Sequence, residues 1–474
     1  MVFSSPVFLY YFLPLLLALY FLAYKADGNK ARLPNAILLL GSLFFYFYGA
    51  NVYIGILLIV TFFCYISVLP TKTALGNKLL LYSGIVVPLS LLAYFKYANF
   101  ATSQLSPVLA DIAAIQLPVT NVALPIGISF FVFQGISYVI DVHRKEARPA
   151  RSFSMLTLYI TMFPQLIAGP IVRYRIIDEQ LSERRLSLEN FAIGATRFMF
   201  GLCKKVILAD ACAVIADAAF TMPTNELPSS MALLGTLAYT FQIYFDFSAY
   251  SDMAIGLGRI LGFTFPENFL RPYSATSFTD FWRRWHITLS SWFRDYVYIP
   301  LGGSRCGSFR TYANLWIVFL CTGIWHGANW TFVVWGAFNG AMLTLERLFG
   351  LRTHKRNQML WQFLTFTLVC FGWILFRADS IGHALQFTER LLFSNEWAIP
   401  PEFRYIFTNF NKIALLCGLF TLFFPKDFVT GKYLENTQGR LRLPSYTAVG
   451  LLCLTIVAFR ISSMHYSPFI YFQF

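Results

Sequence analysis

Charge is scarce in this sequence. Asp, Glu, Lys and Arg make up 13% of its 474 residues, about half the ~25% of a soluble domain. A chain this long with so few charges cannot cover a globule in water, so a sizeable soluble domain is excluded. Familiar catalytic fingerprints are missing as well. There is no G-x-S-x-G elbow, P-loop, H-E-x-x-H or dinucleotide fingerprint. Serine-hydrolase chemistry and ATP-driven transport lose support accordingly. The eight cysteines form no C-x-x-C pair, which leaves no metal or redox spacing, and most sit in apolar runs where a thiol behaves as a small hydrophobe. There is no fixed-period repeat and no low-complexity tract. No basic residue precedes the first apolar run, and Lys25 follows it. The expectation is a retained anchor with its N-terminus outside, not a cleaved signal peptide.

What the chain has in abundance is hydrophobicity: 57% hydrophobic residues, 18% aromatic. Apolar runs at 6–24, 33–50, 51–69, 79–95 and 123–141 approach the roughly 20 residues that cross a bilayer. Others recur at 205–221, 231–249, 357–376, 406–424 and 444–460. This predicts one all-α polytopic membrane domain over residues 1–474, with about 11–12 transmembrane helices plus re-entrant and interfacial helices. The net charge of +14 would suggest nucleic acid in a soluble protein. Here the positive-inside bias and anionic lipid explain it, so the lipid bilayer is the expected partner and nucleic acid is not.

Basic residues mark alternate loops. Lys25, Lys30 and Arg32 follow the first run, Lys72 and Lys78 the third, and Arg144, Lys145, Arg148 and Arg151 the fifth. Residues 50–51, 97–120 and 222–230 carry no Lys or Arg. The basic loops are therefore expected in the cytoplasm and the bare ones outside. The apolar stretch 153–172 is interrupted by Pro164, Gly169 and Pro170 and has basic residues on both sides, the pattern of a re-entrant or interfacial segment. Residues 250–310 hold seven arginines and no lysine. Guanidinium forks suit phosphate, although topological charge alone accounts for them equally well.

Three segments could carry chemistry. A helix running from about Thr279 would align Arg283, His286, Ser290 and Arg294 on one stripe, with Phe281, Trp285, Leu289, Trp292 and Tyr296 on an apolar stripe. That is an interfacial helix, on which His286 reads as an ordinary polar-face histidine. In the second segment, WHGANW at 325–330, His326 is the lone member of the set Asp, Glu, Lys, Arg and His between Arg310 and Glu346. Basic residues flank both ends (Arg310; Arg347, Arg352, Lys355, Arg356), which predicts a hairpin entering from the cytoplasm with His326 and Gly327 near its turn. An ionisable side chain at that depth is a functional candidate by default; the competing reading is a core histidine satisfied by a neighbouring helix. The third segment, 244–263, sets Asp246 and Asp252 in apolar surroundings. Buried carboxylates need partners, and a structural network is expected there.

Taken in order, these segments resemble the membrane-bound O-acyltransferases, and within them the bacterial alginate O-acetylation branch. The resemblance runs from MVFSSPVFLYYFLPL through LPIGISFFVFQ (124–134), FPQLIAGP (163–170), YFDFSAYSDMAIGLGRILGF (244–263), RRWHITLSSWFRDYVYIPLGG (283–303) and WHGANW to the closing PFIYFQF (468–474). It implies helices around a central funnel or tunnel, in a bacterial inner membrane, and acyl transfer from a thioester to a hydroxyl. No bound cofactor is implied; acetyl-CoA is the simplest donor substrate. The acceptor is an extracytoplasmic polysaccharide, of alginate type or a peptidoglycan-like polymer, reached directly or through a periplasmic acetyltransferase or acyl-carrier partner protein. His326 matches the family's catalytic histidine, and His286 a second position that is histidine in many bacterial members. Trp325, Asn329, Arg283, Arg294 and Asp295 complete the candidate set as substrate-binding residues. Two rival readings stay open: an acyl-donor transporter or channel feeding a separate transferase, and a scaffold for periplasmic partners. A covalent relay through Cys321 is a further variant, disfavoured because a five-residue helical offset points it away from His326.

Overall fold

The structure, a computed structural model, describes residues 1–27, 31–113, 118, 120–351, 357–423, 469 and most of 448–457. The expected last span at 444–460 and the closing PFIYFQF lie largely outside the described residues, as do Lys30, Arg352, Lys355 and Arg356.

All regular structure among the described residues is helical. In chain order the helices are α1 (Leu13–Asp27), α2 (Arg32–Ala50), α3 (Ile54–Ile66), α4 (Ala74–Ala113), α5 (Ile128–His143), α6 (Phe153–Thr161), α7 (Phe163–Leu166), α8 (Tyr174–Ser182) and α9 (Leu188–Cys203). They continue as α10 (Asp210–Thr221), α11 (Ser229–Ile260), α12 (Phe278–Trp282), α13 (Ile287–Phe293), α14 (Gly307–His326), α15 (Trp330–Leu348), α16 (Gln358–Arg377), α17 (Ile381–Phe393) and α18 (Asn409–Phe420). Side-chain caps set several starts. Ser152, Ser277, Asn329, Ser380 and Thr408 each accept a backbone N–H from the first turn of the helix that follows, satisfying donors that a helix start leaves open.

Among the described residues, four helical stretches are long and apolar enough to cross a membrane by length and composition: Val7–Asp27, Arg32–Ile66, Ala74–Ile112 and Gln358–Arg377. Other expected runs fall on shorter or more polar helices. The run at 123–141 begins as helix only after Pro125 and Gly127, the latter at φ +75°, and so yields the 16 residues of α5, about 24 Å at 1.5 Å per residue. The run at 205–221 opens with a π-helical turn, Lys204–Ala209, before the 12 residues of α10.

Two compact units make up the chain: residues 1–194 with 257–266, and residues 195–256 with 267–474. In the first, the aromatic wealth of the sequence forms its core. The rings of Phe3, Phe8, Phe12, Phe45 and Phe163 meet at centroid separations between 5.0 and 6.3 Å, geometry that adds to area burial. The stretch broken by Pro164 and Gly169 becomes α6 and α7 with a kink at Met162, and residues 156–174 are buried throughout.

The second unit holds the buried ionic network. The π-turn after α9 aims two successive lysines at α11. Lys204 Nζ meets Asp252 Oδ2 at 2.5 Å, and Lys205 Nζ meets Asp246 at 2.8 Å and Asp210 at 2.7 Å. Arg197 donates to Asp252 Oδ1 at 2.9 and 3.1 Å and forks onto Glu267 at 2.6 and 2.7 Å. The two aspartates of the 244–263 segment are thus structural partners of cations on α9 and its π-turn, as buried carboxylates require.

Candidate functional site

The hairpin around WHGANW consists of α14 and α15, 20 and 19 residues long, each about 30 Å at 1.5 Å per residue. Glycines let the two backbones touch. A Cβ on Gly323 would stand 2.3 Å from the Phe332 carbonyl oxygen, and one on Gly336 would stand 2.4 Å from that of Phe319. His326 is the last residue of α14, and Asn329 caps α15. The imidazole therefore sits at the turn, where the uncharged stretch between Arg310 and Glu346 placed it.

His326 is 5% exposed. Its ring stands edge-on to Trp335 at 5.1 Å, to Phe376 at 5.0 Å and to its neighbour Trp325 at 4.9 Å, with Phe332 at 6.4 Å. Three elements (α14, α15 and α16) contribute to this aromatic box. It encloses the ring in aromatic side chains and keeps it buried.

The second histidine lies against the same cluster. The proposed continuous helix from Thr279 does not form: α12 ends at Trp282 and α13 starts at Ile287. His286 forms the break, in left-handed conformation at φ +42° and 1% exposed. A non-glycine residue held there costs of order 1–3 kcal/mol and is a recurrent feature of functional sites. The break separates residues that a regular helix would align. Arg283 and Arg294 are exposed while His286 is buried, so the stripe is corrected to a buried histidine flanked by surface arginines. The apolar stripe Phe281, Trp285, Leu289, Trp292 and Tyr296 is buried within the protein.

The ring of His286 packs edge-on to Phe247 at 4.6 Å and faces Trp325 at 6.4 Å. Trp325 thus has ring contacts with both histidines, which are 40 residues apart in the chain. His286 Nδ1 bonds to Asn268 Oδ1 at 3.1 Å, and the same oxygen accepts the backbone N–H of Thr288 at 3.2 Å and its hydroxyl at 2.9 Å. Asn268 Nδ2 donates to Ser251 Oγ at 3.1 Å. His286 lies outside the membrane-spanning helices, and its burial disfavours the imidazolium, lowering the pKa to about 3.

The remaining candidates take other positions. Asn329 uses its carbonyl oxygen to cap Thr331 N at 3.0 Å and its amide to reach the Asp379 carbonyl at 2.9 Å. Both functions hold the turn. Asp295 receives Arg294 in a two-point ion pair at 2.7 and 3.2 Å. Cys321 is exposed on α14, on a different face from the buried His326. Sequence reasoning missed Asn268, Phe247, Trp335 and Phe376 as site residues. Asn268 carries no motif signal, and the aromatic rings look like any core residue until the fold gathers them. No group of three or more His, Cys, Asp or Glu positioned to hold a metal occurs among the described residues.

The sequence profile of the membrane-bound O-acyltransferase family matches residues 43–377. The chain is 41% identical to a probable alginate O-acetylase of Pseudomonas putida over the full length of both proteins. It is 35% identical to a peptidoglycan O-acetyltransferase of Helicobacter pylori, covering 81% of this chain and 79% of that protein. A teichoic acid D-alanyltransferase of Bacillus subtilis is 27% identical over 56% of this chain and 72% of its own length.

Proposed function

Because the chain belongs to the membrane-bound O-acyltransferase family, we propose that it is the inner-membrane enzyme that moves an acetyl group from acetyl-CoA to hydroxyls of an extracytoplasmic polysaccharide, with His326 as general base. The carrying observation is that two buried histidines both pack against Trp325. Full-length identity to a probable alginate O-acetylase favours an alginate-type exopolysaccharide. The 35% identity to a peptidoglycan O-acetyltransferase supports a second reading, in which peptidoglycan or another envelope polymer is the acceptor.

In this mechanism an acceptor hydroxyl gives its proton to a ring nitrogen of His326. Its oxygen attacks the thioester carbonyl carbon, and the carbonyl π-electrons move onto oxygen. Collapse of that oxyanion breaks the C–S bond, and the leaving thiolate takes the proton from the His326 imidazolium. Atoms and charge balance and neutral His326 is regenerated. The Trp325 indole N–H and backbone amides in the turn near Gly327 are candidate donors to the oxyanion. His286, with Nδ1 committed to Asn268, presents Nε2 as an acceptor nitrogen that orients a substrate donor group. Arg283 and Arg294 are exposed cations for the phosphates of the donor. The acetyl group reaches the polymer directly or through a periplasmic acetyltransferase or acyl-carrier partner.

The test is His326→Ala in folded, purified protein supplied with labelled acetyl-CoA and polysaccharide. Loss of general-base catalysis lowers transfer about 10²–10⁴-fold. Transfer at the wild-type rate sinks the catalytic assignment and favours a donor channel serving a separate transferase.

A further inference from the structure

The first unit contains a cavity of about 460 Å³ between the starts of α2 and α6, bounded below by the end of α8. None of its lining residues is acidic, and two are arginines: Arg32 at the head of α2 and Arg151 just before α6. Both are exposed at the rim. Neither forms an ion pair with a carboxylate among the described residues. The nearby carboxylate of Asp27 is occupied by the backbone N–H groups of Arg32 and Leu33 at 2.6 and 3.0 Å. A mouth lined by two arginines and no acid selects an anion, and a guanidinium fork matches phosphate oxygens.

Hydroxyls supply the rest of a phosphate cradle. Ser152 and Ser154 line the mouth, bonded to each other at 2.9 Å at the N-terminus of α6, where the helix dipole favours negative charge. Ser182 Oγ, also lining the cavity, is buried and has no hydrogen-bond partner. An orphaned buried hydroxyl is a standing cost that a ligand oxygen removes. The polar floor, by contrast, is already satisfied. Asn35 donates to the Leu181 carbonyl at 2.7 Å and accepts from Arg184 at 2.6 Å, so the cavity is built before anything enters. Leu39 and Leu158 make its inner wall apolar.

A polar, doubly cationic mouth over an apolar wall fits an amphiphile. We infer that this cavity holds the phosphate of an anionic membrane lipid, with the acyl chain along Leu39 and Leu158. Arg32 and Arg151 both belong to basic stretches whose charge assigns them to the cytoplasmic side, where anionic lipid attracts such residues. The site is separate from the two histidines, and its test does not depend on acetyl transfer.

The experiment is thermal unfolding of the purified full-length chain in detergent, titrated with short-chain phosphatidylglycerol, phosphatidylcholine or inorganic phosphate. Phosphatidylglycerol should raise the midpoint saturably, as a ligand of the native state does; the other two should not at equal concentration. Replacing both arginines (Arg32→Gln with Arg151→Gln) should weaken phosphatidylglycerol at least tenfold. Ser154→Asp should do the same while keeping the helix start, because an acid in the first turn suits the dipole. Wild-type affinity in either variant, or an equal response to phosphatidylcholine, overturns the inference. Saturation by inorganic phosphate that displaces the lipid identifies a free-phosphate site instead.

Discussion

His286 Nδ1 donates to Asn268 Oδ1 at 3.1 Å, and that bond decides which ring nitrogen can act. The Asn268 oxygen is identified by the backbone N–H of Thr288 that it also accepts, since the amide nitrogen could not receive it. The histidine proton must then sit on Nδ1, leaving Nε2 with the lone pair. Fixing a tautomer through the far nitrogen is how buried imidazoles are made ready for a task.

Asn268→Ala should therefore lower kcat for acetyl transfer roughly tenfold, the worth of one hydrogen bond of about 1.4 kcal/mol. Asn268→Asp keeps an acceptor for Nδ1–H and should recover part of the rate. A purely structural role for Asn268 predicts instead that both variants lose folded protein in parallel with activity. Measuring kcat per folded molecule separates the two.

Low pH should weaken the native state through His286. Its pKa falls from the ordinary value near 6.5 to about 3 on burial. Above pH ~6.5 both folded and unfolded chains hold it neutral and its contribution to stability is fully present. As pH drops from there towards about 3, the unfolded chain takes up a proton that the folded one refuses, and stability is lost. His286→Gln should flatten this part of the unfolding-midpoint profile between pH 6.5 and 4.5. An unchanged slope would show that His286 titrates normally in the folded protein.

The hairpin turn was legible because charge is so scarce. A single histidine and no Asp, Glu, Lys or Arg between Arg310 and Glu346, with basic residues outside both ends, leaves few ways to thread the chain, and the observed turn falls at Gly327. The need for partners at Asp246 and Asp252 was legible too, but the partners were not. Arg197, Lys204 and Lys205 reach them from a helix about 50 residues earlier, through a π-turn that no periodicity reveals. His286 was misread for a related reason. The spacing of Arg283, His286, Ser290 and Arg294 suits an unbroken helix, and a positive φ at histidine leaves no trace in composition.

The buried network and the surface ion pair should respond very differently to truncation. Asp252→Ala leaves Arg197 and Lys204 without a shared carboxylate, where they are 4% and 20% exposed. Breaking such a pair from one side costs about 3–5 kcal/mol. Arg294→Ala removes a pair whose arginine is 62% exposed, worth no more than about 1 kcal/mol. Thermal unfolding of the two variants in detergent checks the ordering. Equal midpoints would mean that water reaches the network.

Gly323→Val should disrupt the hairpin. Its Cβ would lie 2.3 Å from the Phe332 carbonyl oxygen, on backbone that cannot swing aside as a side chain would. Overpacking of a close contact typically costs 1–3 kcal/mol or more. Because α14 delivers His326 and α15 delivers Trp335, separating them also opens the aromatic box, so activity should fall further than the loss of folded protein. Wild-type turnover in this variant would show that the box tolerates a shifted hairpin.

Cys321 tests whether the acetyl group pauses on the protein. A relay needs the thiol and His326 within reach of one carbonyl carbon. Cys321 stands on the exposed face of α14 and His326, five positions later, on the buried one. Direct transfer predicts that Cys321→Ser acetylates polysaccharide at the wild-type rate and that no acetyl label stays on the protein in single-turnover experiments. A relay through sulfur predicts a labelled wild-type chain and a variant with little activity, since a serine hydroxyl at this position lacks an adjacent base to activate it. Replacing His326 in the same background then separates the base from the nucleophile. Under direct transfer the double variant matches His326→Ala alone, because Cys321 contributes nothing that its loss could remove.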